Sequence, residues 1–318
     1  MAPKVLLTTP RFFAVEELIR EYLAEYGCEV LEHNAHDMQM KEEALLELVP
    51  EADALITALE PVTDRVLSAA PNLRVICATG VGYDHIDIAA ATRRGVIVCI
   101  AAGSNHGSVA ELTLGLMVGV ARQIAYADRV LRRGGWERLG GPELSGMTLG
   151  IVGLGRVGKA VALLGRAFGM RVIATDIVLD HTFASVNAID YMPLGRLLRA
   201  ADFVSLHCPL TPATRGLINE RTLGFMRPRA YLINTARGPV VEEAALVHAL
   251  RTGRIAGAAL DVFEAEPHIG IELRELPNVI LTPHIGGSST EALPRMMELA
   301  LLNVTQVLNG AEPACRVN

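Results

Sequence analysis

Short apolar runs rich in β-branched residues alternate along this chain with longer stretches whose apolar positions recur every three or four residues. Residues 5–8, 29–31, 54–57, 75–77 and 97–100 predict strands, and 15–26, 41–49, 63–70 and 86–94 predict helices between them. Gly27 and Gly95 stand where two of those helices stop. Alternation of this kind implies a parallel sheet covered by helices on both faces. A helical pattern then runs over 108–133, well beyond the mean helix length, as in elements that bridge domains or subunits. A second α/β series follows, with strands expected at 148–152, 171–175, 203–206, 231–234, 257–261 and 279–281. A last helix is expected at 290–309. The reading is α/β, with two doubly wound parallel-sheet domains.

Composition narrows the class. The 318 residues exceed one ordinary core and fit two domains; 51% hydrophobic and 20% charged residues are globular proportions. A net charge of −6 without a Lys/Arg run argues against nucleic acid as a partner. The five cysteines form no C-x-x-C pair and no metal-ligand spacing, so they read as reduced thiols in a cytoplasmic protein. The N-terminus reads as a first strand rather than a signal peptide. The most apolar helical stretch, 112–121, is too short to span a bilayer, so no membrane partner is expected.

Chemistry enters at L-G-I-V-G-L-G-R-V-G, where Gly153, Gly155 and Gly158 follow a strand and open a helix. The first glycine permits a tight turn, the second a close approach of backbone to pyrophosphate, and the third close packing of helix on strand. Arg156 and Val157 occupy the helix start. The next strand ends at Asp176, at the offset of a ribose-binding acid. Asp176 would accept from the ribose hydroxyls of NAD and repel a 2′-phosphate, and no Arg follows it, so NAD is expected over NADP.

Nearer the C-terminus, three residues each follow an apolar run: Arg237 in N-T-A-R-G, Glu266 in D-V-F-E-A-E-P and His284 in T-P-H-I-G-G. Ligands bind outside the carboxyl ends of such strands. Arg237 offers a permanently charged fork for a carboxylate. His284 can exchange a proton near neutrality, and Glu266 within hydrogen-bonding distance would raise its pKa by ~1–3 units. Taken singly, each is more often a solvated or structural residue. Downstream of a nicotinamide site, the three together point to hydride and proton transfer on a carboxylate-bearing substrate.

Further motifs occur in order along essentially the whole chain: G-V-G-Y-D-H-I-D from Gly80, S-V-A-E from Ser108, and H-C-P-L-T from His207. With the motifs above, they make the sequence resemble the D-isomer-specific 2-hydroxyacid dehydrogenase family, which includes phosphoglycerate dehydrogenase and the glyoxylate/hydroxypyruvate reductases. The resemblance implies a Rossmann NAD-binding domain at 101–287, inserted in a flavodoxin-like substrate domain at 1–100 and 288–318. It implies that Arg237 binds the substrate carboxylate, with the backbone N–H groups of Val81 and Gly82 on its other side. It makes His284 the acid/base on the 2-oxygen, with Glu266 tuning it. Asp261 would contact the nicotinamide carboxamide. His207, Cys208, Pro209, Thr235 and Ala236 would line the nicotinamide half of the cleft, beside His284 and Gly286. A homodimer through the 108–133 helix is also implied.

The chain departs from the family pattern in two places. Ile100 and Ala102 replace the first Asn and the Pro of N-x-P-x-x-N, which would loosen a hinge, while Asn105 remains. The loop after the third strand reads Thr57-Ala58-Leu59-Glu60-Pro61, where members acting on phosphorylated acids tend to carry a basic residue. Glu60 is therefore expected to repel a phosphate, although Arg138 offers one positive contact. A small acid such as glyoxylate or hydroxypyruvate is favoured over D-3-phosphoglycerate. The alternatives are a D-3-phosphoglycerate dehydrogenase, an unusual oxidation such as phosphite to phosphate, and an NAD-sensing corepressor-like binding protein.

Overall fold

The structure is a computed structural model that describes residues 2–8, 16–31 and 41–318. The chain divides into two compact units, one formed by 1–105 with 288–318 and the other by 106–287.

The first unit is built on β1 (Lys4–Leu7), β2 (Glu29–Leu31), β3 (Ala54–Thr57), β4 (Val75–Ala78) and β5 (Ile97–Ile100), all parallel in the order β2-β1-β3-β4-β5. Side chains alternate between the sheet faces. Leu6, Leu55, Ile76 and Val98 pack under α2 (Glu42–Leu48), α3 (Asp64–Ser68) and α4 (Ile88–Arg93). Val5, Ala54, Ile56, Val75 and Cys99 pack against Ile19 and Leu23 of α1 (Glu16–Glu25) and Met297, Leu301 and Val304 of the last helix (Ala292–Leu308). Burial on both faces explains why these strands read as unbroken apolar runs. Val15, where the first helix was expected to begin, lies outside the described residues.

The second unit carries β6 (Thr148–Val152), β7 (Arg171–Thr175), β8 (Asp190–Tyr191), β9 (Phe203–Leu206), β10 (Tyr231–Asn234), β11 (Gly257–Leu260) and β12 (Val279–Leu281). They pair in parallel in the order β12-β11-β10-β9-β6-β7-β8. The chain proceeds outward from β6 to β8 on one side and from β9 to β12 on the other. The switch point therefore lies between β6 and β9, where such sheets open a ligand crevice. The two-residue edge strand β8 was not expected from the pattern.

The continuous helix expected over 108–133 is two helices, α5 (His106–Ala121) and α6 (Ile124–Arg132), which differ in direction by 64°. Gln123 breaks them with φ 54, in the left-handed region. The carbonyl of Ala121 faces Gly141 so closely that a Cβ there would stand 2.1 Å away, and Gln123 Nε2 donates to Gly140 O at 3.1 Å. The returning 140–141 strand of chain thus occupies the space a straight continuation would need. Helix α5 buries eight residues and α6 none. Among the described residues no single helix is long and apolar enough to cross a membrane.

Candidate active site

The glycine turn after β6 has three differently constrained members. Gly153 has φ 95, and a Cβ there would stand 2.7 Å from Cys208 N. At Gly158 a Cβ would stand 2.1 Å from Gly153 O, so helix α7 (Arg156–Ala167) is docked on the turn. Gly155 has only open space where its Cβ would be. It caps α7 with no side chain over the first amides. Two glycines packed into the fold and one facing a void are what a pyrophosphate cradle at a helix N-terminus requires. Arg156 is exposed at the helix start, and Val157 is half-buried.

Asp176 follows β7 and is fixed by two backbone donors, Leu154 N to Oδ2 at 2.6 Å and Val178 N to Oδ1 at 3.0 Å. It lines a cleft of about 720 Å³ with Gly155, Lys159 and Asp180. Lys159, in the first turn of α7, was not singled out from sequence; its place one residue after the third glycine is the signal that marks it.

Across the switch point, His207 follows β9. Its Nε2 is 2.8 Å from Ser205 Oγ, and its buried Nδ1 has no partner among the described residues. Burial pushes its pKa down to about 3, so the ring is neutral at any working pH. Burial also lifts the Cys208 thiol to about 11, which leaves it no thiolate chemistry. Pro209 beside them is exposed.

Arg237, Glu266 and His284 follow β10, β11 and β12, three neighbouring strands. His284 Nδ1 lies 2.7 Å from Glu266 Oε2, and both side chains are about three-quarters covered, at 24% and 22% exposed. Glu266 Oε1 accepts from Phe263 N at 2.9 Å. Burial alone would push the Glu266 carboxyl up. The bond to His284, the charges of His284 and Arg237, and the Phe263 N–H outweigh it, so the carboxyl is held below its ordinary value. Glu266 therefore stays ionised beside the imidazole. Arg237 Nη1 donates to Ala236 O at 2.8 Å.

The turns that carry these side chains are fixed from below. Asn234, buried at the end of β10, donates from Nδ2 to Arg237 O (2.9 Å) and accepts at Oδ1 from Ala236 N (3.0 Å), clamping the Thr235–Arg237 turn. His284 has φ 51, a left-handed conformation that a β-substituted residue holds only when its surroundings impose it. Asp261 imposes it. Its carbonyl accepts from His284 N (2.8 Å), Oδ1 from Thr282 Oγ1 (2.6 Å) and Ile285 N (2.9 Å), and Oδ2 from Gly286 N (2.8 Å). Expected to contact cofactor, Asp261 is 1% exposed and spends both oxygens on this turn. Helix α5 touches both turns: Ser108 Oγ donates to Gly286 O at 2.7 Å, and the hydroxyls of Thr113 and Thr235 are 3.0 Å apart.

The remaining expectations fall in other places. Val81 and Gly82 lie in the first unit, in the loop after β4, with Val81 43% exposed. Arg138 is exposed in the second unit. Glu60 is not the outward charge its loop position suggested. It is 1% exposed, and its Oε2 accepts from Thr57 Oγ1, Ala58 N and Leu59 N within 2.7–3.1 Å. A carboxylate that satisfies its own loop this way is a structural anchor, not an outward charge set to repel a phosphate.

Residues 114–286 match the family model described as D-isomer specific 2-hydroxyacid dehydrogenase, NAD binding domain. A glyoxylate reductase from Thermofilum pendens is 45% identical over 300 residues, covering 92% of this chain and 88% of that protein. The crystal structure of a glyoxylate reductase from Paecilomyes thermophila superposes with a TM-score of 0.88 at 30% identity, over 99% of this chain and 98% of that one. The NADPH-dependent glyoxylate/hydroxypyruvate reductase of Sinorhizobium meliloti, solved with NADP and malonate, gives a TM-score of 0.87 at 30% identity, over 100% of this chain and 97% of that one.

Proposed function

Because this chain belongs to the D-isomer-specific 2-hydroxyacid dehydrogenase family, we propose that it interconverts a small 2-keto acid and the corresponding D-2-hydroxy acid with NAD(H). The observation that carries the proposal is the ionised Glu266 bonded at 2.7 Å to His284, with Arg237 on the neighbouring strand end and a glycine cradle in the same unit. NAD(H), when bound, supplies or accepts the hydride exchanged at substrate C2. Gly153, Gly155, Arg156, Val157 and Gly158 would hold its pyrophosphate and Asp176 its ribose. His207–Pro209, Thr235, Ala236 and Gly286 would line its nicotinamide end.

In the reducing direction, Arg237 holds the substrate carboxylate in a planar two-pronged grip and orients the keto group. His284 gives its Nε2 proton to the 2-oxygen as the carbonyl becomes an alcohol. Glu266, bonded to Nδ1, fixes the tautomer and ring orientation that present Nε2. Proton transfer of this kind is worth ~10²–10⁴ in rate. The family pattern gives Val81 and Gly82 a share of the carboxylate and Asp261 a contact to the nicotinamide carboxamide, and Asp261 also holds the His284 turn. Glyoxylate and hydroxypyruvate are the favoured substrates, a choice supported by the relatives and no longer by Glu60. The exposed Ile124 and Leu131 on α6, a helix without a buried residue, support a homodimer through the 108–133 segment. The free cysteines are consistent with a cytoplasmic setting.

A panel of glyoxylate, hydroxypyruvate, 3-phosphohydroxypyruvate and pyruvate with NADH, scored by kcat/KM, tests the proposal. Turnover highest on the first two is the expected result. NADH binding without turnover on any member would favour the sensor reading instead.

A further inference from the structure

The cleft beside Gly155 contains a cation as well as the Asp176 carboxylate. Lys159 lines it, and so do two carboxylates, Asp176 and Asp180. An ammonium on that wall is a natural partner for a nucleotide 2′-phosphate, and would work against Asp176. It is already engaged. Lys159 Nζ lies 2.6 Å from Asp180 Oδ2 and 5.0 Å above the Phe183 ring. Asp180 is itself held in place, because its Oδ1 accepts from Phe183 N at 2.9 Å and caps α8 (His181–Val186).

Resting on the NAD(H) assignment above, we infer that Asp180 is a second cofactor-specificity residue, which holds Lys159 in an internal ion pair and so denies the cleft a cation for a 2′-phosphate. The Lys159 bond also holds the Asp180 carboxyl below its ordinary value, which keeps the pair ionised. With Asp176, the three groups carry one net negative charge, which an incoming phosphate dianion meets as repulsion. Removing the Asp180 charge brings that sum to zero and leaves the ammonium available. A charge-assisted hydrogen bond to phosphate then moves affinity by on the order of tenfold or more.

The test is calorimetric titration of the full-length protein with adenosine 2′,5′-bisphosphate, ADP, NADH and NADPH. Asp180→Asn keeps a helix cap, and Asp180→Ser is a second capping variant should the first fold poorly. In either, the preference for ADP over the 2′,5′-bisphosphate is expected to narrow by on the order of tenfold, and the NADH/NADPH ratio to follow. Adding Lys159→Met is expected to restore the original preference. NADH binding with an unchanged preference in both Asp180 variants would overturn the inference alone. Narrowing that persists with Lys159→Met would also overturn it, because Asp180 would then act by direct repulsion. Wild-type protein that binds neither dinucleotide would overturn the NAD(H) reading and this inference with it.

Discussion

Gly238 stands directly after Arg237, and its replacement by alanine tests how tightly the reacting turns are held. A Cβ at this position would lie 1.9 Å from the carbonyl carbon and oxygen of Phe263 and 2.5 Å from Glu264 N. Non-bonded carbon atoms come to rest at ~3.5 Å, so the two segments must part by more than about 1 Å. Every atom in the way is backbone, which cannot swing aside like the tip of a side chain. On one side the turn is clamped by Asn234, and on the other Phe263 N is bonded to Glu266. The displacement therefore falls between the residue that would grip the carboxylate and the one that would orient the imidazole. A misplacement of ~1 Å can cost ~10² in rate, and overpacking of this kind costs about 1–3 kcal/mol of stability. We expect Gly238→Ala to lose about two orders of magnitude in kcat/KM on hydroxypyruvate and several degrees in Tm, with NADH affinity far less affected. A variant with kcat/KM within about threefold of the parent and an unchanged Tm would refute the reasoning, since the turns would then be free to yield.

Other perturbations read other parts of the molecule. His284→Ala is expected to lower kcat by ~10²–10⁴ while the Kd for NADH stays near the parent value; near-normal kcat would remove the residue from proton transfer. The Glu266 carboxyl sits below its ordinary 4.5 in the native state. Its ionised form therefore stabilises the fold above that pH, and the contribution is lost as pH falls through the lowered value. In Glu266→Gln the decline of Tm on acidification below about pH 4.5 is expected to be shallower, and an unchanged decline would count against the coupling to His284. For His207 the sign is the same, in a window that begins at higher pH. Between 6.5 and about 3 the unfolded chain binds a proton that the buried ring refuses, so native stability falls as pH drops through that window, by at most about 5 kcal/mol. Denaturant titrations of His207→Gln from pH 7 to pH 4 are expected to show less of this loss, and a loss as large as the parent's would mean that the ring takes its proton without unfolding.

Much of the fold was legible because parallel strands buried on both faces leave uninterrupted apolar runs. Strands such as Phe203–Leu206 and Tyr231–Asn234 have the bounds that the pattern predicts. The glycine turn and the residues after β10, β11 and β12 were legible for a related reason, since strand ends in such a sheet share one edge. What escaped was decided by contacts between distant segments. Nothing around Gln123, with neither glycine nor proline beside it, announces a left-handed residue; the break is made by chain returning at 140–141. Glu60 looked like a solvent-facing acid because burial of a carboxylate depends on donors three-dimensionally arranged around it, here from its own loop. The family resemblance gave Asp261 a cofactor contact but not its second task, bonding Thr282, Ile285 and Gly286, because those donors meet it only in the folded turn. Asn234 was readable in principle: an Asn closing a strand before a tight turn is placed to bond the backbone two and three residues on.

The two hydroxyls on α5 make that helix a gauge block for the reacting groups. Ser108 is fastened to the histidine turn and Thr113 to the arginine turn. Five residues of helix set those fastenings ~7.5 Å apart along the axis. If α5 tilts or slides, both turns travel with it and the interval between them is kept. A residue inserted or deleted between positions 108 and 113 would instead swing one hydroxyl about 100° around the helix relative to the other and release one turn. This stretch of α5 can vary in composition, but its length is locked.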